Sequence, residues 1–155
     1  MIEELQDIDF TETAKKVFVD FRICSDSLIP EDITNSMDIN PTRVFAKGEK
    51  YLGKTRIPQS KEISQVWRKR PRGIWAIDSK KLTNKEKVEA HIKYLLDILE
   101  PKRKQLELYL EQRDSYSVSF YIWWEPFGGY GGFDVSSETI RRMSSVSHYT
   151  EFAFL

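Results

Sequence analysis

Ser117–Trp124, SVSFYIWW, is the stretch that decides how this chain folds. Successive side chains of a strand point to opposite faces. Val118, Phe120, Ile122 and Trp124 therefore fall on one side, and Ser117, Ser119, Tyr121 and Trp123 on the other. The first set is wholly apolar and has to be covered. The second mixes hydroxyls with aromatic rings and stays only partly dry. This is the pattern of a central strand with a helical layer on one face.

Working outward, Val17, Val19, Phe21 and Ile23 alternate with Phe18, Asp20, Arg22 and Cys24, which predicts a first strand over 17–24. A short helix follows: Pro30 suits a first turn, Glu31 and Asp32 complement the positive helix end, and Ile33 and Met37 share one side. Asn40 and Pro41 stop it, and Arg43–Lys47 forms a short strand around Val44 and Phe45. Thr83 and Glu86 have the spacing of a capping box. A long helix then carries Val88, Ile92, Leu95, Leu96 and Leu99 as an apolar stripe, with a kink or fresh start expected at Pro101. After the central strand, FGGYGGF makes a turn or bulge, Asp134–Ser137 offers helix caps before Ile140, Met143 and Val146, and Tyr149–Leu155 is a closing strand. Residues 1–14 hold five acids before the first base and no regular apolar spacing, so they read as a loosely attached acidic leader to a single domain over 15–155.

The fold expected from this order is α+β. It has a largely antiparallel sheet of five to six strands, helices mainly on one face, and two β-α-β pseudo-repeats of the ferredoxin-like kind, with a central hairpin and the long helix inserted. The hairpin is read from Ile63–Lys69, a turn at Arg70-Pro71-Arg72-Gly73, and Ile74–Asp78.

At 155 residues, 40% of them apolar, with four Trp, seven Tyr and nine Phe, the chain can build one core. Its 24 basic and 24 acidic residues cancel, so net charge supplies no general attraction to nucleic acid or anionic lipid. Apolar runs fall far short of the ~20 residues that span a bilayer, and the start has no signal-peptide pattern, so a cytoplasmic protein with no membrane partner is expected. A single cysteine, Cys24, forms no internal disulfide and agrees with a reducing compartment.

Charge is concentrated in one place. Residues 47–72 hold nine bases against Glu49 and Glu62. Within this segment Trp67, Arg68, Lys69, Arg70 and Arg72, with Tyr130 of the glycine loop, are the candidate partner surface: cations to meet acidic groups and rings to pack or stack. Catalytic patterns are missing. His91 and His148 have no metal-ligand spacing, and no metal or cofactor is expected. His91 reads as a structural histidine at the edge of the apolar stripe, and His148 as an exposed loop residue. The glycine segment has neither Gly-Lys-Ser/Thr nor Gly-x-Gly-x-x-Gly, so it is no phosphate loop. An enzymatic alternative, a small hydrolase or transferase, needs a cleft that gathers Tyr121, Trp123, His148 and Glu151.

The order of these features resembles the bacterial family known only as domain of unknown function 4279. The likeness rests on FRICSDSLIPEDITNSMDINPTRVFAKGE, on Trp75 in GIWAIDS, on Leu95, Leu96, Leu99 and Pro101, and on Gly131-Gly132-Phe133 followed by Ser136 and Glu138. The resemblance implies a fold and carries no reaction or catalytic residues with it; the basic 51–72 segment departs from the pattern. The expectation is a non-catalytic binding protein, by analogy an immunity factor whose partner is a toxin encoded by a neighbouring gene. Nucleic acid or another polyanion is the alternative partner for the basic segment.

Overall fold

The structure is a computed structural model that describes residues 14–56, 59–60, 62–128 and 131–154. The acidic leader, Ala14 apart, and Tyr130 lie outside the described residues.

Five strands form the main sheet: β1 (Ala14–Ser25), β2 (Arg43–Phe45), β5 (Gly73–Asp78), β6 (Ser117–Pro126) and β7 (Tyr149–Phe154), in the order β2-β5-β1-β6-β7. Three of its pairings are antiparallel and only β6–β7 is parallel. Registers Phe21↔Phe120 and Ile23↔Val118 put the apolar sets of β1 and β6 on one face, and Ile77 and Trp75 of β5 join them. Phe21 and Phe120 pack edge to face with centroids 5.3 Å apart. Each such buried side chain contributes roughly 1.5–3 kcal/mol, so this face is where the fold gains its stability.

The helices cover the same face. α1 (Pro30–Met37) brings Ile33 and Met37. It ends at Asp38, whose left-handed backbone (φ 51°) lets its N–H donate to the Thr34 carbonyl at 2.8 Å. Trp75 is fully enclosed because its indole N–H donates to the Thr34 hydroxyl at 3.0 Å. α2 (Val88–Leu99) buries Val88, Ile92, Leu95, Leu96 and Leu99, the expected stripe. At Pro101 the chain passes through a 3₁₀ turn (Glu100–Lys102) into α3 (Arg103–Glu111), the expected fresh start. α4 (Ser137–Val146) is capped by Ser136, whose hydroxyl accepts the Thr139 N–H at 3.2 Å. The Arg142 guanidinium of α4 bonds Glu100 at 2.6 Å and Asp97 at 3.1 Å, tying α4 to the end of α2.

Three local expectations are corrected. Thr83 and Glu86 do not cap α2: the helix begins at Val88 after Lys87, and Thr83 instead starts a turn, its carbonyl accepting the Glu86 N–H. Ile63–Lys69 does not pair with Ile74–Asp78. It is β4 (Ile63–Lys69) and pairs with β3 (Lys50–Arg56) in a separate two-stranded sheet, while β5 inserts between β2 and β1. The two strand-helix-strand units also close differently. β1 and β2 run parallel with β5 between them, whereas β6 and β7 are direct neighbours.

Candidate partner-binding surface

The β3–β4 arm carries most of the basic segment. Its register pairs Leu52 with Trp67, Lys50 with Lys69 and Tyr51 with Arg68. Directly opposite residues share a face, so Lys50, Leu52, Lys54, Gln65, Trp67 and Lys69 lie on one side, and Tyr51, Gly53, Val66 and Arg68 on the other. Among the described residues the arm's apolar side chains stand uncovered: Trp67 is 69% and Ile63 64% exposed, with Leu52 and Val66 also exposed. Lys50, Trp67, Arg68 and Lys69 line a shallow hollow of about 460 Å³. On the opposite face the Arg68 side chain crosses over Gly53 to the Thr55 hydroxyl, where a Cβ would stand 2.9 Å from its Cδ.

The arm joins the sheet at its base. The Gly48 N–H donates to the Arg70 carbonyl and the Arg70 N–H to the Glu49 carbonyl, both at 2.8 Å. The Arg70 guanidinium lies between the rings of Phe45 and Tyr51, 3.6 Å from each centroid. This clamp of a cation between two rings fixes the angle of the arm. Arg72 is exposed near Asp26 (3.8 Å), which Lys47 also approaches at 3.6 Å. Of the residues singled out in the sequence, Trp67, Arg68 and Lys69 thus stand together on the arm, and Arg70 and Arg72 at its base.

Beyond the clamp lies the sheet face turned away from the helices. Phe18 and Trp123 stack there with centroids 5.8 Å apart, the Lys16 ammonium 5.7 Å from both rings, and Lys80 stands 4.8 Å from Phe18. The Arg22 guanidinium lies 4.0 Å from the Tyr121 ring. Buried Asp20 holds it and Arg43 through one oxygen, at 2.8 and 2.9 Å. The face is therefore aromatic with charges of both signs, Glu125 standing opposite Lys16, Asp78 opposite Asp20 and Glu151 opposite Tyr121, and it continues to the arm through Phe45 and Arg70.

Residues weighed for chemistry are accounted for otherwise. His91 is fully enclosed. Its Nε2 meets the Thr83 carbonyl at 3.1 Å, so that nitrogen carries the proton. Its Nδ1 then accepts from the Ser79 hydroxyl at 2.7 Å, and Ser79 accepts the Val19 N–H. Burial pushes its pKa below the ordinary histidine value. His148 is not an exposed loop residue: its Nδ1 accepts the Val118 N–H at 3.1 Å and its Nε2–H donates to the Leu110 carbonyl at 2.8 Å, a stitch from β6 to α3. That stitch lies on the helix side, whereas Tyr121, Trp123 and Glu151 lie on the open face, so the sheet separates the four residues of the enzymatic alternative. Burial raises the Cys24 thiol, outweighing the opposite pull of Arg72 and Arg22. Among the described residues no cluster of three or more His, Cys, Asp or Glu could hold a metal, and no helix is long and apolar enough to cross a membrane.

Sequence reasoning missed Leu52 and Ile63 as parts of the arm surface. The only local signal was an apolar residue amid lysines in a segment with no regular alternation.

The architecture is thus a helix layer on one face of a mixed sheet, with a basic two-stranded arm beside the open face. The chain belongs to the family described as domain of unknown function (DUF4279), whose pattern matches residues 15–154. Comparison with curated proteins and with solved structures finds no match.

Proposed function

We propose that this chain is a non-catalytic protein-binding domain whose basic β3–β4 arm docks on an acidic protein surface. The observation that carries this reading is the exposure of Trp67, Ile63 and Leu52 among Lys50, Lys54, Arg68 and Lys69 on a two-stranded ribbon joined to the sheet at its base. An isolated two-stranded ribbon is marginal in water, and exposed apolar rings do not stabilise it. Exposed Trp and Arg with an apolar centre are what interface hot spots use, and the surrounding lysines steer an acidic partner. Occlusion of a toxin by an immunity factor is the form of binding we put forward, with the product of a neighbouring gene as the partner.

The test is binding of that purified product to the wild-type chain and to a Trp67→Ser, Arg68→Ser, Lys69→Ser triple variant. The expected result is association that slows as salt rises, and at least a tenfold loss of affinity in the variant. Because none of the three is buried, the variant's urea midpoint should change by no more than about 0.5 kcal/mol equivalent. Failure of the wild type to bind, or equal binding by the variant, contradicts the proposal. A mobility shift with single-stranded DNA or RNA that vanishes in the same variant would favour a nucleic-acid partner instead.

A further inference from the structure

At the other end of the sheet, β7 is an edge strand that lacks the usual protection. Among the described residues it pairs with β6 alone, on one side. Sheet edges are normally blunted by shortness, Lys, Pro or a bulge, because unpaired backbone groups invite another strand. The opposite edge, β2, is three residues long and begins with Arg43. β7 is six residues long, YTEFAF, with Glu151 as its only charge and no Pro or Lys.

The helix side of this edge is also apolar. Phe133, Phe152 and Phe154 stack as a slab, with interplanar angles of 20°, 22° and 3°, and Trp124 packs against it. Yet Phe152 is 54% and Phe154 60% exposed. Beside them, exposed Ile140 of α4 lines a groove of about 300 Å³ with Met143, Val135 and Phe152.

We infer that β7 pairs antiparallel with β7 of a second copy of this chain, joining two five-stranded sheets across a two-fold axis. The sequence of the strand selects its own register. Side chains opposite one another must share a face, so the axis passes through a residue; an axis at Glu151 or Phe152 pairs five of the six strand residues, and one at Tyr149, Thr150, Ala153 or Phe154 pairs three or fewer. Centring on Glu151 sets two carboxylates face to face, which is unfavourable; centring on Thr150 places Phe152 opposite His148, outside the strand. Centring on Phe152 sets the two Phe152 rings against each other, Thr150 against Phe154, and Glu151 against Ala153. A strand with one charge, offset from its mate in this register, is complementary to itself and not to a strongly charged partner. Size agrees as well. An aromatic side chain buries roughly 150–250 Å², so covering the exposed halves of Phe152, Phe154, Tyr149 and Ile140 with the strand edge removes on the order of 500 Å² per copy. The total of about 1,000 Å² meets the minimum for a biological interface, at its weak end. The arm is remote in the sheet order, so this contact is independent of the proposed partner site.

Sedimentation equilibrium of the full chain is expected to give a dimer of twice the 18.3 kDa chain mass at micromolar concentration and above. Phe152→Lys, which sets two ammonium groups opposite each other, should weaken the dimer by at least about tenfold while leaving the circular dichroism spectrum unchanged. Should that variant fail to fold, Phe152→Cys in a Cys24→Ser background supplies the second reading, because pairing at residue 152 brings the two thiols together for an intermolecular disulfide on mild oxidation. A wild-type monomer at all concentrations, a dimer unaffected by Phe152→Lys in a folded variant, or no cross-link at residue 152 in the dimer overturns the inference.

Discussion

At the residue scale, His91 shows how a titratable side chain can be wholly absorbed by a fold. The Thr83 carbonyl fixes its proton on Nε2, and the Ser79 hydroxyl, itself holding the Val19 N–H, satisfies Nδ1. Only the neutral ring fits this arrangement. Burial lowers its folded-state pKa below the ordinary 6.5, so the unfolded chain takes up the proton first as the solution is acidified. The stability His91 contributes is therefore fully present above about pH 6.5 and is lost as pH falls below it. A second loss belongs to Glu89. Hydrogen bonds from the Ser136 hydroxyl and amide hold its carboxyl at about 2, below the ordinary 4.5, so its contribution is lost between those two values. Urea unfolding at a series of pH values should show stability falling from pH 7.5 to 5.5, and His91→Gln should flatten that first decline while sparing the second. The spacing of His91 against Val88 and Ile92 placed it at the apolar stripe. That it was paired on both nitrogens was not legible, because Ser79 and Thr83 belong to a connection with no periodic signature. His148 was misread for the same reason: its partners, Val118 and the Leu110 carbonyl, are 30 and 38 residues away.

At the scale of elements, what the sequence shows depends on whether an element has a buried face. β1, β6 and α2 each bury one clean stripe, so period two or the three-and-four spacing revealed them. β3, KYLGKTR, buries no such stripe. Its side chains alternate between two wet faces, so it left no hydrophobic signal, and β4 was matched to the nearest extended segment instead of its true partner. Glycine is informative in the opposite way. Gly131 has φ 141°, and a Cβ there would lie 2.8 Å from Cη2 of buried Trp124, which cannot yield without disturbing the core. Gly131→Ala is expected to cost about 1–3 kcal/mol in a thermal or urea melt, whereas Gly132→Ala, with nothing within 4 Å and no positive φ, should change stability little. Equal effects at the two positions would contradict this account of the turn.

For the whole molecule, the two-layer build explains why a chain with no net charge still has a differentiated surface. The helices consume the apolar face of the sheet, leaving the other face to carry rings and charges of both signs and the arm to carry cations. Strand order was the least legible property. Local pattern places strands but not neighbours, and the insertion of β5 between β2 and β1, with β6 beside β7, joins residues far apart in the chain. The central claim is that the arm, a sheet separate from the core, is the surface a partner would cover. Amide hydrogen exchange with and without the neighbouring gene's product tests it most directly. The account predicts that in the free chain the amides of Lys50–Arg56 and Ile63–Lys69 exchange far faster than those of Val17–Ile23 and Val118–Trp124, and that the partner protects the arm. Arm amides as protected as the central strands in the free chain, or protection by the partner that bypasses the arm, would contradict it.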